Sequence, residues 1–207
     1  FKDVIFHVRG EILAWHLSEV LGANYYKNIL PDVRGAGVEE IEEFSDSNIV
    51  LKSLKIINNK KAIKNLNKFH KMSVVSNSLK EYLINNYNID QEKIVVTPCL
   101  AGPGFWYNVV IRESIRKEMN LSNEDKVIVF SSGGLAEWQN TDVLIKIADK
   151  GFKILNLSKK DVSHRNIINR FDSYNKIPYY LNAADAAVIW RNESVVNKVA
   201  SPVKFSE

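Results

Sequence analysis

The sequence predicts an α/β protein with parallel sheets divided between two lobes, and three features carry that reading. Short apolar runs rich in β-branched residues alternate with amphipathic stretches, the pattern of a parallel sheet covered on both faces. The alternation stops at a turn-forming stretch, PCLAGPGF over 98–105, and resumes with a fresh strand at Val127. The 207 residues are 45% hydrophobic and 25% charged, which allows one large core or two of about 100 residues each.

In chain order, the first lobe (1–100) reads as strands at 3–8, 25–30, 72–76 and 93–97. Ile12, Leu13, His16, Leu17, Val20 and Leu21 mark one apolar helix face, and Leu79, Tyr82, Leu83 and Tyr87 another. The polar stretch 47–69 also reads as helical, with Leu51, Leu54, Ile63, Leu66 and Phe69 at its buried positions. A linker over 101–125 holds a short charged helix at 113–119. The second lobe (126–207) shows strands at Val127–Ser131, 152–156 and 186–190, with Val143, Leu144, Ile147 and Ala148 as one helical face. The terminal SPVKFSE looks like a proline-started helix with Lys204 and Glu207 one turn apart.

Composition narrows the classes. No run approaches the ~18 apolar residues of a membrane span. The single cysteine, Cys99, rules out an internal disulfide and fits a reducing compartment. The charge of +4, from 28 Lys+Arg against 24 Asp+Glu, supports only a weak attraction to anionic surfaces or phosphates. Basic residues are not interleaved with aromatics, so no nucleic-acid partner is expected. The four histidines show no metal-ligand spacing, so no metal is expected either.

In open α/β sheets ligands bind at the carboxyl ends of the strands, so the chemistry should follow each strand. His7-Val8-Arg9-Gly10 follows the first strand, and Pro31-Asp32-Val33-Arg34-Gly35-Ala36-Gly37 the second. Ser131-Ser132-Gly133-Gly134 follows the strand at Val127, and Arg191 follows the last strand. Each also has a plainer reading. Two glycines after a strand can be a tight turn, or can let backbone N–H groups meet a diphosphate at a helix N-terminus. His7 reads as a hydrogen-bonded interior histidine or as a base, and His16 as core. Asp32 and Arg34 can pair across a surface turn, and the EEIEE run over 39–43 can be a solvated helix face. Trp138 can pack a helix start, and Cys99 reads as structural, with no histidine or lysine near it in sequence.

The order of these pieces resembles the retaining GT-B glycosyltransferases of the bacterial group-one family, which build capsular, exopolysaccharide and lipopolysaccharide chains. DVIFHVRG resembles the family's strand ending in an acceptor-facing histidine, and PDVRGAGVEE its D-x-R-G…E-E segment. SVVSNSLKEYLINNYNIDQEKIVVTPCLAGPGF is similar to the passage into the interdomain linker. VFSSGGLAEWQN resembles the glycine corner of the nucleotide-sugar lobe, IPYYLNAADAAVIW the P-x-Y-L-x-x-A-D helix and strand, and NKVASPVKFSE the P-x-K-x-x-E-Y segment.

The resemblance implies an α/β fold of two Rossmann-like lobes with parallel sheets (GT-B) and a cleft between them. Both lobes would be incomplete, the chain being a fragment of a longer enzyme. It implies transfer of a hexose-type sugar with retention, from a UDP- or GDP-linked donor to a glycan or lipid-linked acceptor. No cofactor or metal would take part, and the enzyme would be cytoplasmic or in peripheral contact with the inner membrane surface. The donor would meet Ser132, Gly133, Gly134, Gln139, Arg191 and Lys204, with Glu207 on the ribose hydroxyls. His7 and Asp32 would be the catalytic pair, orienting the acceptor or shielding developing charge, and Arg9 and Arg34 would hold anionic acceptor groups. Gly134 and Gln139 stand where many members carry arginine and lysine, and Val199 where many carry a glutamate. Phosphate charge would then fall to Lys204 or Arg191. Two alternatives stay open: a non-catalytic GT-B-like module that binds a glycan or partner protein, and a nucleotide-sugar epimerase on the same fold.

Overall fold

The computed structural model describes residues 3–132 and 141–206. It holds two four-stranded sheets, every pairing parallel. The chain divides into two compact units, Phe1–Cys99 with Glu193–Pro202, and Leu100–Asn192 with Val203–Glu207.

In the first unit the order is β1 (Phe6–Arg9), α1 (Glu11–Leu21), β2 (Ile29–Val33), α2 (Gly37–Phe44), α3 (Ile49–Asn65), β3 (Met72–Val74), α4 (Asn77–Tyr87) and β4 (Ile94–Val96). The strands lie in sequence order, β1-β2-β3-β4. Parallel crossovers are right-handed, so a sheet that always steps the same way receives all its helices on one face. The core bears this out. Val8, Ile29, Val33, Met72, Val74 and Ile94 pack with Ala14, Val38, Ile63, Leu79 and Leu83 in one cluster. The intervening residues point the other way, with His7 aligned to Leu30, Arg9 to Asp32 and Asp32 to Ser73. On that second face His7, Arg9 and Val95 are exposed. Those three lie on the outer strands β1 and β4, whereas Asp32 and Ser73 of the inner strands are buried on the same face.

The second unit runs α5 (Val109–Glu118), β5 (Val127–Ser131), α6 (Val143–Ala148), β6 (Lys153–Leu157), β7 (Ile167–Asn169), α7 (Ile177–Asn182) and β8 (Ala186–Ala187). Its order is β7-β6-β5-β8, so the winding reverses at β5. Same-handed crossovers in opposite directions place α6 and α7 on opposite faces. Val127, Val129 and Leu155 join Ile115, Ile177 and Tyr180 on one side, while Phe130, Ile154 and Ile167 join Val143, Leu144 and Ala148 on the other. A last helix, α8 (Val195–Val199), belongs to the first unit, where Val199 is buried in the core and its carbonyl accepts from Ser76 Oγ at 2.6 Å.

Local chemistry explains the element ends. Gly10, at φ 89°, lets the chain pass directly from β1 into α1, a conformation that strains any residue with a Cβ. Ser76 Oγ accepts from Leu79 N at 2.9 Å and caps α4, which Asn88 closes in the left-handed region. Asn108 caps α5 by accepting from Val110 N and Ile111 N.

Several sequence expectations shift. The strand expected at 25–30 is a 3-10 helix over Ala23–Asn28, and pairing starts only at Ile29. Asn28 Nδ2 is bound to the Val4 carbonyl, and Tyr26 packs edge-on against Phe69, which favours the winding. In α1 the buried residues are Glu11, Ala14 and Ser18, while Leu13 (59%) and Val20 (82%) are exposed. Small residues let α1 lie close to α3, so the larger apolar side chains turn outward. His16 is exposed and stacked on Trp15, not core. In α3, Ile63 is buried as expected, but Leu51 and Leu54 are exposed. The last strand ends at Ala187 instead of 190, β7 was not foreseen, and 203–205 form a 3-10 turn.

Candidate functional site

The second unit has the geometry that makes a ligand crevice. Strand order reverses at β5, and in open α/β sheets ligands bind at the carboxyl edge beside such a reversal. The buried Ser132 follows β5 at this edge. The remaining corner residues, Gly133, Gly134, Trp138 and Gln139, lie outside the described residues, as does Glu207. Beyond β8, Arg191 is half-buried, and burial pulls its guanidinium below the ordinary arginine value. Next to the corner, Asn156 at the end of β6 is fully buried. Its amide donates to the Lys160 carbonyl at 2.9 Å and Asn169 Oδ1 at 2.8 Å, and accepts from Ser158 Oγ at 2.7 Å. That network fixes the β6 loop without using a charge.

The opposite edge of the same sheet is a staple. The buried Arg116 donates to the carbonyls of Ala183, Ser122 and Asp125, and Arg112 pairs with Asp185 at 2.6 Å. Burial pushes the Asp185 carboxyl upward, but the Val127 N–H and the two arginines outweigh it and hold the group below its ordinary value. Arg112, Arg116 and Asp185 were not singled out from the sequence, since two of these partners lie about seventy positions from the third.

In the first unit the carboxyl edge is built around Asp32. The Asp32 Oδ1 accepts from Ser73 Oγ at 2.9 Å, Oδ2 pairs with Arg34 Nη1 at 3.0 Å, and its carbonyl accepts from Gly10 N. The turn pairing of Asp32 with Arg34 is present as expected. Arg9 lies beside Asp32 in register, and Arg34 Nη2 also donates to Cys99 Sγ at 2.8 Å. Cys99 thus has a cationic neighbour after all. His7 is exposed rather than interior, on the uncovered face of β1.

A cluster the sequence reading passed over lies around Gly37. A Cβ there would stand 2.9 Å from both the Asn59 amide and Glu11 Oε1, so these two side chains close over bare backbone. Burial raises the Glu11 carboxyl above its ordinary value, its own backbone N–H lowers it and the Glu40 charge raises it further. Burial likewise raises Glu40, followed by the charge of Glu39. Tyr82 donates to Glu39 and lies 3.3 Å from the Tyr87 hydroxyl; burial and these contacts push its phenol far upward. EEIEE is therefore not uniformly solvated, since Glu39 turns inward. The legible signal was its place in the first turn of α2, where a carboxylate suits the helix dipole. Among the described residues no group of three His, Cys, Asp or Glu could hold a metal. Val199 and Ser201 serve the first unit's structure, Ser201 Oγ accepting from Cys99 N at 3.2 Å. Lys204 falls with the second unit, in the 3-10 turn.

No family model matches the chain, and no curated protein matches its sequence. Among solved structures it is similar to a glycosyltransferase from Rickettsia africae ESF-5, with TM-score 0.50 and 16% identity, covering 84% of this chain and 54% of that one. It is also matched to the wall teichoic acid polymerase TagF, with TM-score 0.39 and 15% identity over 77% of this chain and 44% of that one. The chain thus spans about half the length of the solved structure it resembles, and what the two share is a fold of parallel α/β lobes.

Proposed function

We propose that this chain is part of a GT-B glycosyltransferase, with the first unit (Phe1–Cys99 and Glu193–Pro202) as the acceptor-side lobe and the second (Leu100–Asn192 and Val203–Glu207) as the nucleotide-sugar lobe, so that the expected linker over 101–125 falls within the second unit and α8 within the first. The observation that supports this is the reversal of strand order at β5, the strand after which Ser132 leads into the glycine corner, with Arg191 four residues beyond the end of β8. A UDP- or GDP-linked sugar is the proposed donor. Backbone N–H groups of Gly133 and Gly134 would face its diphosphate, and Arg191, Lys204 and Gln139 would meet the phosphates or sugar. Glu207 would accept from the ribose hydroxyls.

On the acceptor side, His7 and Arg9 project from the exposed face of β1, free to meet a hydroxyl and an anionic group. Asp32 and Arg34 already bind each other, which suits a role in fixing that edge and offering Arg34's remaining N–H groups. Transfer would proceed with retention, by attack of the acceptor hydroxyl on the face the diphosphate leaves. Basic side chains and backbone N–H groups would stabilise the departing charge. The acceptor would be a glycan or lipid-linked sugar in bacterial surface polysaccharide synthesis. Contact with a membrane surface is supported by α3, whose exposed Ile49, Val50, Leu54 and Ile57 accompany five lysines and no acidic residue; no described helix is long and apolar enough to cross a membrane.

Thermal stability with UDP, GDP, CMP and NAD tests the reading. A shift with one nucleoside diphosphate, at ligand well above its dissociation constant, is the expected result. Glu207→Ala should then weaken that binding by ~1–3 kcal/mol. A shift with NAD alone would overturn the donor assignment.

A further inference from the structure

An aromatic cleft in the second unit is lined by none of the residues proposed for the donor. One wall is the irregular stretch after Pro103, the other the start of α7. Two adjoining hollows, ≈ 140 Å³ and ≈ 270 Å³, share Phe105, Trp106, Pro178 and Asn182. The larger approaches the ~300 Å³ at which small-ligand pockets begin.

The walls are held rigidly. Asn182 is buried, and its amide links them: Oδ1 accepts from Asn108 N at 2.5 Å, and Nδ2 donates to the carbonyls of Trp106 and Pro178. Phe105 packs against Tyr174 with ring centroids 5.6 Å apart. On this frame stand three aromatic side chains with little cover: Trp106 is 65% exposed, Tyr107 70% and Tyr179 51%. Among the described residues none of the three rings has an aromatic or cationic partner, and neither the Trp106 indole N–H nor the two tyrosine hydroxyls make a hydrogen bond. The Asn175 amide, at the rim, is likewise unpartnered among them. Among the described residues no charged side chain lines either hollow.

These properties select a ligand class. Exposed aromatic faces of this size are rarely left bare on a surface without a binding role. A purely apolar occupant would strand the indole N–H, the hydroxyls and the amide without partners on binding. A phosphorylated ligand would find no cation. A neutral sugar ring meets both demands, since its C–H face packs flat on an aromatic ring while its edge hydroxyls reach donors and acceptors around it. We infer that the Trp106–Tyr179 cleft is a binding subsite for neutral sugar residues of a glycan chain. The inference rests on the glycosyltransferase reading only for its role, which would be to hold the acceptor glycan away from the reacting end. Binding itself is independent of that reading.

The full chain is titrated with cellopentaose, maltopentaose and chitopentaose up to millimolar concentration, following tryptophan fluorescence and thermal stability, with UDP and GDP in parallel. At least one oligosaccharide is expected to change the tryptophan emission and raise the unfolding temperature in wild type, and the emission change should vanish in Trp106→Phe while Trp15, Trp138 and Trp190 remain. Trp106→Ala and Tyr179→Ala should each weaken that binding about tenfold. Their unfolding temperature without ligand should stay near wild type, because both rings are more than half exposed. No response to any of the three sugars overturns the subsite, even if a nucleotide binds. A sugar response with no nucleotide response upholds it and sinks the glycosyltransferase reading instead. A sugar response that persists unweakened in both Trp106→Ala and Tyr179→Ala assigns the binding to another place and overturns the inference.

Discussion

The two sheets use the same strand-helix grammar and reach different results. The first adds each strand on the same side, so β1-β2-β3-β4 gathers α1 to α4 on one face and leaves His7, Arg9 and Val95 on the other. The second reverses at β5, so adjacent residues of one strand enter different cores, Val129 with α5 and α7 and Phe130 with α6. The difference teaches where a crevice can form. Helices on both faces force two loops apart at the reversal, whereas a sheet wound one way has no such gap in its interior. Ser132, which leads into the proposed donor corner, follows the central strand of the sheet that reverses, and the exposed His7 and Arg9, proposed for the acceptor side, lie on the one that does not.

The largest expected effect tests this contrast directly. Phe130→Ala should cost about 3–5 kcal/mol, and Val129→Ala about 1–3 kcal/mol, because neighbouring positions of β5 are both buried. In β1, Val8→Ala should be costly while His7→Ala stays within about 0.5 kcal/mol. Native-state hydrogen exchange reads each sheet separately. An appreciable cost at His7 would mean that its face is covered in solution, and the contrast would fail.

A smaller effect sharpens the view of how the first unit builds its carboxyl edge without a reversal. Gly37→Ala should cost about 1–3 kcal/mol, since the new methyl meets Asn59 and Glu11 at 2.9 Å inside packed structure. Gly35→Ala should cost less, although a Cβ there would stand 2.3 Å from Glu40 Oε1, because the end of that side chain can swing away. Equal melting temperatures for the two variants would show that Asn59 and Glu11 are not fixed over Gly37.

How much of this the sequence showed follows from which forces act locally. The strand Val127–Ser131 was legible to the residue because burial on both faces writes an unbroken apolar run. Three-residue β7 is too short to stand out, and Tyr25-Tyr26 has strand composition but is wound by contacts to Val4 and Phe69. The helical period of α1 was right and its rotation wrong, since close packing on α3 favours Ala14 and Ser18 over Leu13 and Val20. Among site residues, the Asp32–Arg34 pair is two positions apart and could be read directly. The Arg34–Cys99 contact spans 65 positions and Tyr82–Glu39 spans 43, separations that no local pattern encodes. The aromatic cleft was invisible for the same reason, as Asn182 joins it to Asn108 across 74 positions.

The smallest effect concerns charge in that same packed edge. Glu11 is buried in the first turn of α1, with Glu40 acting on it and with Tyr82 bound both to the neighbouring Glu39 and to the Tyr87 hydroxyl. Asn59 Oδ1, buried close by, has no hydrogen-bond partner among the described residues. Because burial and the Glu40 charge raise Glu11 above 4.5, the folded state holds its proton more tightly than the unfolded chain does. The stability linked to that proton is fully present below the ordinary glutamate value and is lost as pH rises through the raised one. Unfolding free energy should therefore fall with rising pH just above 4.5 in wild type. Glu11→Gln should flatten that slope and add about 1 kcal/mol at neutral pH, because an amide keeps the shape, carries no charge and brings donors to a site with an unpaired acceptor. If the slope persists in Glu11→Gln and disappears in Glu40→Gln, the titrating carboxylate is Glu40, and the first unit's edge is governed by α2 rather than by the β1–α1 turn.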